Sequence, residues 1–558
     1  MRRINLLLAT IALCLAALSC SEKQTAPIAI CENGRFVGYV EDNGVLTFKG
    51  IPFAKAPVGE LRWKAPQPVE ASDEVFEAKT NGLPGLQSYD EGEVASHGEL
   101  SEDCLYLNVW TKDLEMKSGR PVMVWFHGGS YGWGGTIDPL YEGKYLVAEY
   151  PDVVLVSVEY RVNAMGFIDF VDVTGGEAFP DAPYLGILDQ QQALRWIQKN
   201  ISAFGGDPDN VTIFGESAGG GSVSCHLIAK GSEGLFRRAI PMSGEICLEH
   251  TPENYKATGQ AAKLLAATGC KDMDGLMALS EEDILKALNT EAGGVSAEGV
   301  GGHVGDYNNW PMRSDERSII PSDGYKAILE GKSKDVDVMI GVVADEIRYW
   351  AHLQYDPTDQ ESPLGFYYEW AKEKVDGIKQ IGGPETAHRI DESLSIIDPD
   401  SDEWDAKHPG IWKYTQILTD YNFRLGSIII AQNHSEAGGK GKTFMYVFGK
   451  GYEKGANHGE DYMKACHACE LTYAFNNLVY QDGAPYDPVL TKRFSNIFVN
   501  FARTGNPSIE GLDIPEYEKN DRSTIIVGRD SKIYVEKNPL AKETELLLPT
   551  YYDFFLKK

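Results

Sequence analysis

The sequence predicts an α/β protein with a large, mostly parallel central sheet flanked by helices. Three observations carry this reading. Short β-branched or aromatic runs recur along the chain, segments with apolar residues at helical spacing lie between them, and no repeat, long Pro or Ser linker or block of like charge divides the 558 residues. Runs uninterrupted by charge suit strands buried on both faces, and strand, helix, strand in alternation builds a parallel or mixed sheet.

Strands are expected at Val122–Phe126, Val153–Val158, Val211–Phe214, Ala239–Met242, Val336–Ile340 and Phe444–Phe448, with helices over Asp189–Asn200 and Ala257–Ala267. The stretches Asp272–Asn309 and Asp356–Gly410 carry weaker strand signals and read as excursions over the sheet, a cap.

Ahead of these elements, Arg2 and Arg3 precede an apolar run, Ile4–Leu18. It is short for a bilayer span and suits the h-region of a secretory signal. The run ends Ala16-Ala17-Leu18-Ser19-Cys20 and passes into polar Ser21–Thr25. This resembles a bacterial lipobox, in which the cysteine becomes a lipid-modified first residue, although Ala17 stands where an aliphatic residue is usual and leaves ordinary cleavage open. The expected organisation is a signal peptide over 1–19, a lipidated tether over 20–30 starting at Cys20, and a single domain over 31–558. The protein is expected to be exported and membrane-anchored, facing the periplasm or the cell surface, or else secreted.

Composition bounds the function. With 43% apolar and 24% charged residues the chain can bury a sizeable core. A net charge of −30 repels phosphate backbones and anionic lipid head groups, so no nucleic-acid partner is expected, and membrane contact only through the anchor. Of nine cysteines, Cys14 leaves with the signal and Cys20 is the lipid site. An odd number remains, so at least one is unpaired. Cys466-His467-Ala468-Cys469 has no second cysteine pair at zinc-ligand spacing and the wrong order for haem attachment, so no metal and no cofactor is expected.

Two segments match G-x-S-x-G. Gly215-Glu216-Ser217-Ala218-Gly219 follows a strand and enters a small-residue helical pattern, as a strained strand-to-helix elbow requires. Gly128-Gly129-Ser130-Tyr131-Gly132 also follows a strand but runs into Trp133-Gly134-Gly135, which propagates a helix poorly. With His127 in front, it reads instead as a loop whose side-chain-free residues bring backbone N–H groups to a developing alkoxide. One site then uses both segments: Ser217 as nucleophile, with Gly128, Gly129 and Ala218 as oxyanion donors. A serine needs an oriented histidine. In this chain order, serine then acid then histidine, the late candidates are His458 and His467.

The chain resembles the type-B carboxylesterases, the family of para-nitrobenzyl esterases, cholinesterases, fungal triglyceride lipases and the non-catalytic neuroligins. The likeness runs from about Gly34 to the last strands. It is carried by Gly50-Ile51-Pro52-Phe53-Ala54, Gly59-Glu60-Leu61-Arg62-Trp63, Ser101-Glu102-Asp103-Cys104-Leu105-Tyr106-Leu107-Asn108-Val109, Phe204-Gly205-Gly206-Asp207-Pro208, Gly234-Leu235-Phe236-Arg237-Arg238-Ala239-Ile240 and Phe501-Ala502-Arg503-Thr504-Gly505-Asn506-Pro507. The resemblance implies an α/β-hydrolase fold. It implies a histidine in His-x-x-Glu-Leu-x-Tyr-x-Phe, matched by His467 and not by His458, and an acid in Gly-x-x-x-Asp-Glu, matched by Glu346 with Asp345 as the alternative. It places Glu216 near the site; Ser243 either hydrogen-bonds within the triad or ends a strand. Glu102 and Asp103 are expected to fix loops, while Tyr131, Trp133, Tyr349 and Trp350 line a pocket or belong to the core.

The chain departs from the family at Ile347, where a glycine is usual, and between Gly82 and Gln87, which offers no partner for Cys104. Cys104 is therefore free or paired with Cys31, and family analogy implies a Cys247–Cys270 disulfide. The resemblance implies hydrolysis of small-molecule carboxylic esters through an acyl-enzyme. Amide or carbamate cleavage, lipase-like activity and a non-catalytic adhesion role are the alternatives, and the stretch Gly85–Glu102 offers no aromatic choline platform.

Overall fold

The computed structural model describes residues 26–87, 99–246, 259–289, 318–351, 365–396, 409–451, 463–477 and 487–555. A small sheet opens the chain: β1 (Ile28–Cys31) runs antiparallel to β2 (Gly34–Val37), which pairs in parallel with β5 (Val75–Glu77). Strand pairing thus begins inside the segment 20–30 read as a tether. The central sheet takes β3 (Tyr39–Val40), β4 (Leu46–Pro52), β6 (Tyr106–Thr111), β7 (Arg120–Phe126), β8 (Val154–Val158), β9 (Gly206–Glu216), β10 (Arg238–Met242), β11 (Asp337–Val343), β12 (Thr443–Phe448), β13 (Thr524–Val527) and β14 (Ile533–Glu536). Its order is β14-β13-β12-β11-β10-β9-β7-β8-β6-β4-β3. From β8 to β13 the neighbours are parallel, and both margins are antiparallel. This is the α/β-hydrolase fold.

All six expected strands are present. β9 is longer than expected because Gly206–Asn210, polar and so unlike a buried strand, joins it across a register shift against β7 between Arg120 and Val122. The marginal strands β3, β4, β6 and β14 are short or interrupted by polar residues, and β13 carries only the three-residue apolar run Ile525–Val527. The two expected helices are found over Leu185–Asn200 and Gln260–Thr268. The excursions contain helices at Met273–Met277, Glu281–Leu288 and Gly365–Ile396, the last broken at Gly383 (φ 80°) just ahead of Pro384, and a further helix, Pro409–Thr419, starts where the second excursion was expected to end. No described helix is long and apolar enough to cross a membrane.

Register decides where the site lies. Phe126 pairs with Gly215, Met242 with both Glu216 and Gly341, and Val343 with Phe448. The chain therefore leaves β7, β9, β10, β11 and β12 along one edge, the carboxyl edge where open α/β sheets place their ligands. Underneath, Trp125 is fully buried against Phe214 and Phe475, with ring centroids 4.9 Å away in each case.

Candidate active site

The turn after β9 holds Ser217 at φ 57°, ψ −124°, and the helix Ala218–His226 starts at the next residue. A serine in this region is strained, and the surroundings hold it there: Ser217 N donates to Met242 O at 3.0 Å and Gly221 N to Ser217 O at 2.8 Å. The motif glycines are required sterically. A Cβ on Gly219 would lie 2.0 Å from Phe126 O, and one on Gly215 2.5 Å from the Gly219 backbone.

The second G-x-S-x-G match forms no helix. Ser130 and Tyr131 both take positive φ, 52° and 56°, and the loop folds back so that Gly132 N and Trp133 N donate to Gly129 O. A Cβ on Gly128 would meet Glu216 O at 2.9 Å and Ser217 Cβ at 3.1 Å, so only glycine lets this loop lie against the elbow. Among the described residues the N–H groups of Gly128, Gly129 and Ala218 donate to nothing.

The loop after β11 delivers Glu346 and the loop after β12 delivers His467. Nδ1 of His467 lies 2.6 Å from Glu346 Oε2, and His467 N donates to Glu346 O at 3.2 Å. Ser243 Oγ donates to Glu346 Oε1 at 2.6 Å and Val343 N donates to the same oxygen at 2.9 Å. Ser243 is thus a hydrogen-bonding member of the cluster. Asp345 takes no part: its carboxylate accepts from Ala465 N and faces Arg348 and Arg529. Ile347 is fully buried in place of the usual glycine. His458 lies outside the described residues.

Nε2 of His467 makes no hydrogen bond among the described residues and faces Glu216 Oε1 at 3.1 Å. Burial by itself would lower the affinity of this imidazole for a proton. The carboxylates of Glu216 and Glu346 outweigh burial and raise its pKa to about 9. Glu216 is also pushed up, first by burial and then by the Glu346 charge, with His467 opposing.

Three rings wall the imidazole: Phe423 at 5.0 Å, Trp350 at 5.1 Å and Tyr349 at 6.2 Å between centroids. Tyr131 instead packs into the core on Phe167, with Trp133 half-buried in the loop.

Sequence reasoning missed Phe423, which sits in a π-helical stretch, Asp420–Arg424, with no local signal of its role. It also gave no role to Glu470, fully buried, whose carboxyl is held protonated well past the usual range by burial and by the Glu216 and Glu346 charges. Its place in His-x-x-Glu was the available signal.

Cys31, Cys104, Cys466 and Cys469 are free thiols, so Cys104 and Cys31 are not paired, and burial pushes the thiols flanking His467 far up. Cys247, Cys20 and residues 1–25 lie outside the described residues. No group of His, Cys, Asp and Glu among the described residues is placed to hold a metal ion.

The profile of the carboxylesterase family matches residues 26–546. The chain belongs to the carboxylesterase family. It is 33% identical to the para-nitrobenzyl esterase of Bacillus subtilis over 542 residues, covering 94% of this chain and 99% of that one. It is 28% identical to the acetylcholinesterase of Bungarus fasciatus, covering 93% and 84%. Among solved structures, a carboxylesterase of Geobacillus stearothermophilus superimposes with a TM-score of 0.75 at 31% identity, covering 93% of this chain and 99% of that one. This carboxylesterase is accordingly a serine hydrolase of carboxylic esters.

Proposed function

We propose that Ser217 attacks the ester carbonyl while His467 Nε2 takes its proton and returns it to the leaving alcohol. Glu346 holds the imidazole in the tautomer with Nδ1–H and stabilises the imidazolium; the N–H groups of Gly128, Gly129 and Ala218 hold the oxyanion; water then repeats the sequence on the acyl group. The observation that carries this reading is the 2.6 Å bond between His467 and Glu346, residues 121 apart in the chain, at the sheet edge that also carries the Ser217 elbow. A non-catalytic adhesion role would give these groups nothing to do.

The substrates are small-molecule esters of short to medium acyl chain, with amide, carbamate and lipid esters as the alternative classes. A chain-length series of nitrophenyl esters with wild type and Ser217→Ala tests this: the variant should lose more than ~10⁴ in turnover. Failure of a fluorophosphonate to label Ser217 in folded protein would overturn the assignment. His458→Ala should keep its activity and His467→Ala should not.

Residues 1–19 we read as a signal peptide, Cys20 as the lipid-bearing first residue of a tether that ends where β1 begins at Ile28, and the rest as one domain, which makes this an exported bacterial lipoprotein on the periplasmic or outer surface. Arg2, Arg3, the apolar run and the small residues before Cys20 support it. Mass spectrometry of the mature N-terminus decides, an unmodified start at Ser21 indicating secretion instead.

A further inference from the structure

The small sheet that opens the chain turns aliphatic side chains toward solvent. An antiparallel sheet packed on one side ordinarily keeps polar residues on the other. The packed side of this sheet is ordinary: Ala29 and Phe36 are buried, and Phe76 stacks on Phe36 with centroids 5.6 Å apart. Register sets the opposite side. Ile28 pairs with Val37 and Val37 with Glu77; Ile30 pairs with Arg35 and Arg35 with Val75. Four of these six residues are aliphatic, and Ile28, Ile30 and Val75 are 50%, 67% and 63% exposed. Strand formation does not explain the choice, because threonine serves an exposed strand equally well. A contiguous apolar patch of this kind on a folded protein marks a surface that another body covers.

The position of the patch and its charges say what that body is. β1 begins at Ile28, and only residues 21–27 separate it from Cys20. Fully extended, seven residues span at most about 25 Å, so a lipid on Cys20 keeps the sheet within that distance of the bilayer. Docking is then an intramolecular step, and a patch too small to hold a free protein on lipid suffices for a tethered one. The face itself is nearly balanced in charge: it carries Arg35 and Glu77, and Glu77 pairs with Lys79. Asp73 and Glu74 lie beside Val75 in the chain, which stands at −30 as a whole. An anionic bilayer would repel it. A zwitterionic one offers phosphates to Arg35, which stands between Ile30 and Val75 in the register, and an acyl boundary to the aliphatic side chains.

We propose that the outward face of β1, β2 and β5 rests on the surface of a zwitterionic lipid bilayer, so that the domain is held in one attitude on the membrane instead of swinging on its tether. This contact adds to the one made through the anchor, and it rests on the lipidation of Cys20 proposed above.

The test uses the full lipidated chain on phosphatidylcholine vesicles whose acyl chains carry bromine, a short-range quencher of tryptophan emission. In Ile30→Trp and in Val75→Trp the added emission should be quenched. In Val489→Trp, at an exposed position of the helix Pro488–Thr504, it should not. Adding Ile28→Thr and Ile30→Thr to Val75→Trp keeps β-branched strand formers and should abolish the quenching, with melting temperature and turnover of a water-soluble nitrophenyl ester unchanged. Quenching should survive high salt and weaken as phosphatidylglycerol replaces phosphatidylcholine. Equal quenching at all three positions, or none at positions 30 and 75, overturns the proposal. So does a dimer of the full chain in detergent that the two threonines dissociate, since the face then takes a second copy. Flotation separates the two levels: a chain that floats with the vesicles but shows no quenching at positions 30 and 75 sinks only the docking, whereas one that does not float and starts at an unmodified Ser21 sinks the anchor and the docking with it.

Discussion

Nε2 of His467, the nitrogen proposed above to take the proton of Ser217, stands 3.1 Å from the carboxylate of Glu216, the residue before that serine. Such a neighbour stabilises the imidazolium formed during attack, and by the same interaction it keeps the resting imidazole protonated to higher pH. Only the unprotonated form can act as base. With the His467 pKa raised to about 9, kcat/KM should climb with pH through a limb well alkaline of an ordinary histidine. In Glu216→Gln the raising charge closest to Nε2 is gone, while Glu346 remains. The limb should move to lower pH, read from kcat/KM between pH 5 and 10; a limb that stays in place would refute this account of Glu216.

Ser243 and Val343 N share one oxygen of Glu346, leaving the other for His467. Removing the hydroxyl frees the carboxylate to turn without removing its charge. Ser243→Ala should therefore reduce kcat about tenfold at constant KM, far short of the ~10⁴ expected when Glu346→Gln misorients the histidine. Full kcat in Ser243→Ala would mean that the serine merely closes β10.

These groups were legible in the sequence to different degrees, for a physical reason. The elbow and the oxyanion loop are local: consecutive residues next to a buried strand set their backbone shape, so Ser217, Gly128 and Gly129 could be read from spacing. Glu346 and His467 meet only through sheet register, and pattern likeness was needed to choose them over Asp345 and His458. Phe423 reaches the imidazole through a contact between separate loops and left no local trace. The same split holds in the fold, where two-sided burial writes β7 to β12 as mainly apolar runs and the margins are shorter or more often interrupted by polar residues.

Glu102, expected to fix a loop, does so with a buried charge pair. Arg62 reaches it with Nε at 2.6 Å and Nη2 at 2.5 Å, and Arg62 Nη1 donates onward to Leu279 O at 2.9 Å, joining the N-terminal motif to the excursion. Deleting one partner strands the other away from water. Glu102→Ala should lower stability by about 3–5 kcal/mol, measured as a shift in denaturant midpoint, while fluorophosphonate labelling of the folded fraction persists. A loss below about 1 kcal/mol would show that water reaches Arg62.

The last expectation concerns acid. His226, at the end of the nucleophile helix, is fully enclosed, its ring nitrogens bonded to Ser232 Oγ at 2.9 Å and Gln190 Oε1 at 3.0 Å. Burial, with the Arg195 charge adding to it, lowers its pKa from 6.5 to about 3. Between those values the unfolded chain takes up a proton that the folded chain refuses, so this contribution to stability is complete above pH 6.5 and is lost as pH falls toward 3. Its size is a few kcal/mol by linkage. Buried acids such as Asp420, raised to about 6, work in the opposite direction, so the wild-type melting curve alone would mix the two effects. The comparison with His226→Gln isolates the histidine. The variant should melt below wild type at pH 7.5, and the gap should narrow steadily toward pH 4; a gap independent of pH would show that the buried imidazole is not what makes the protein acid-sensitive.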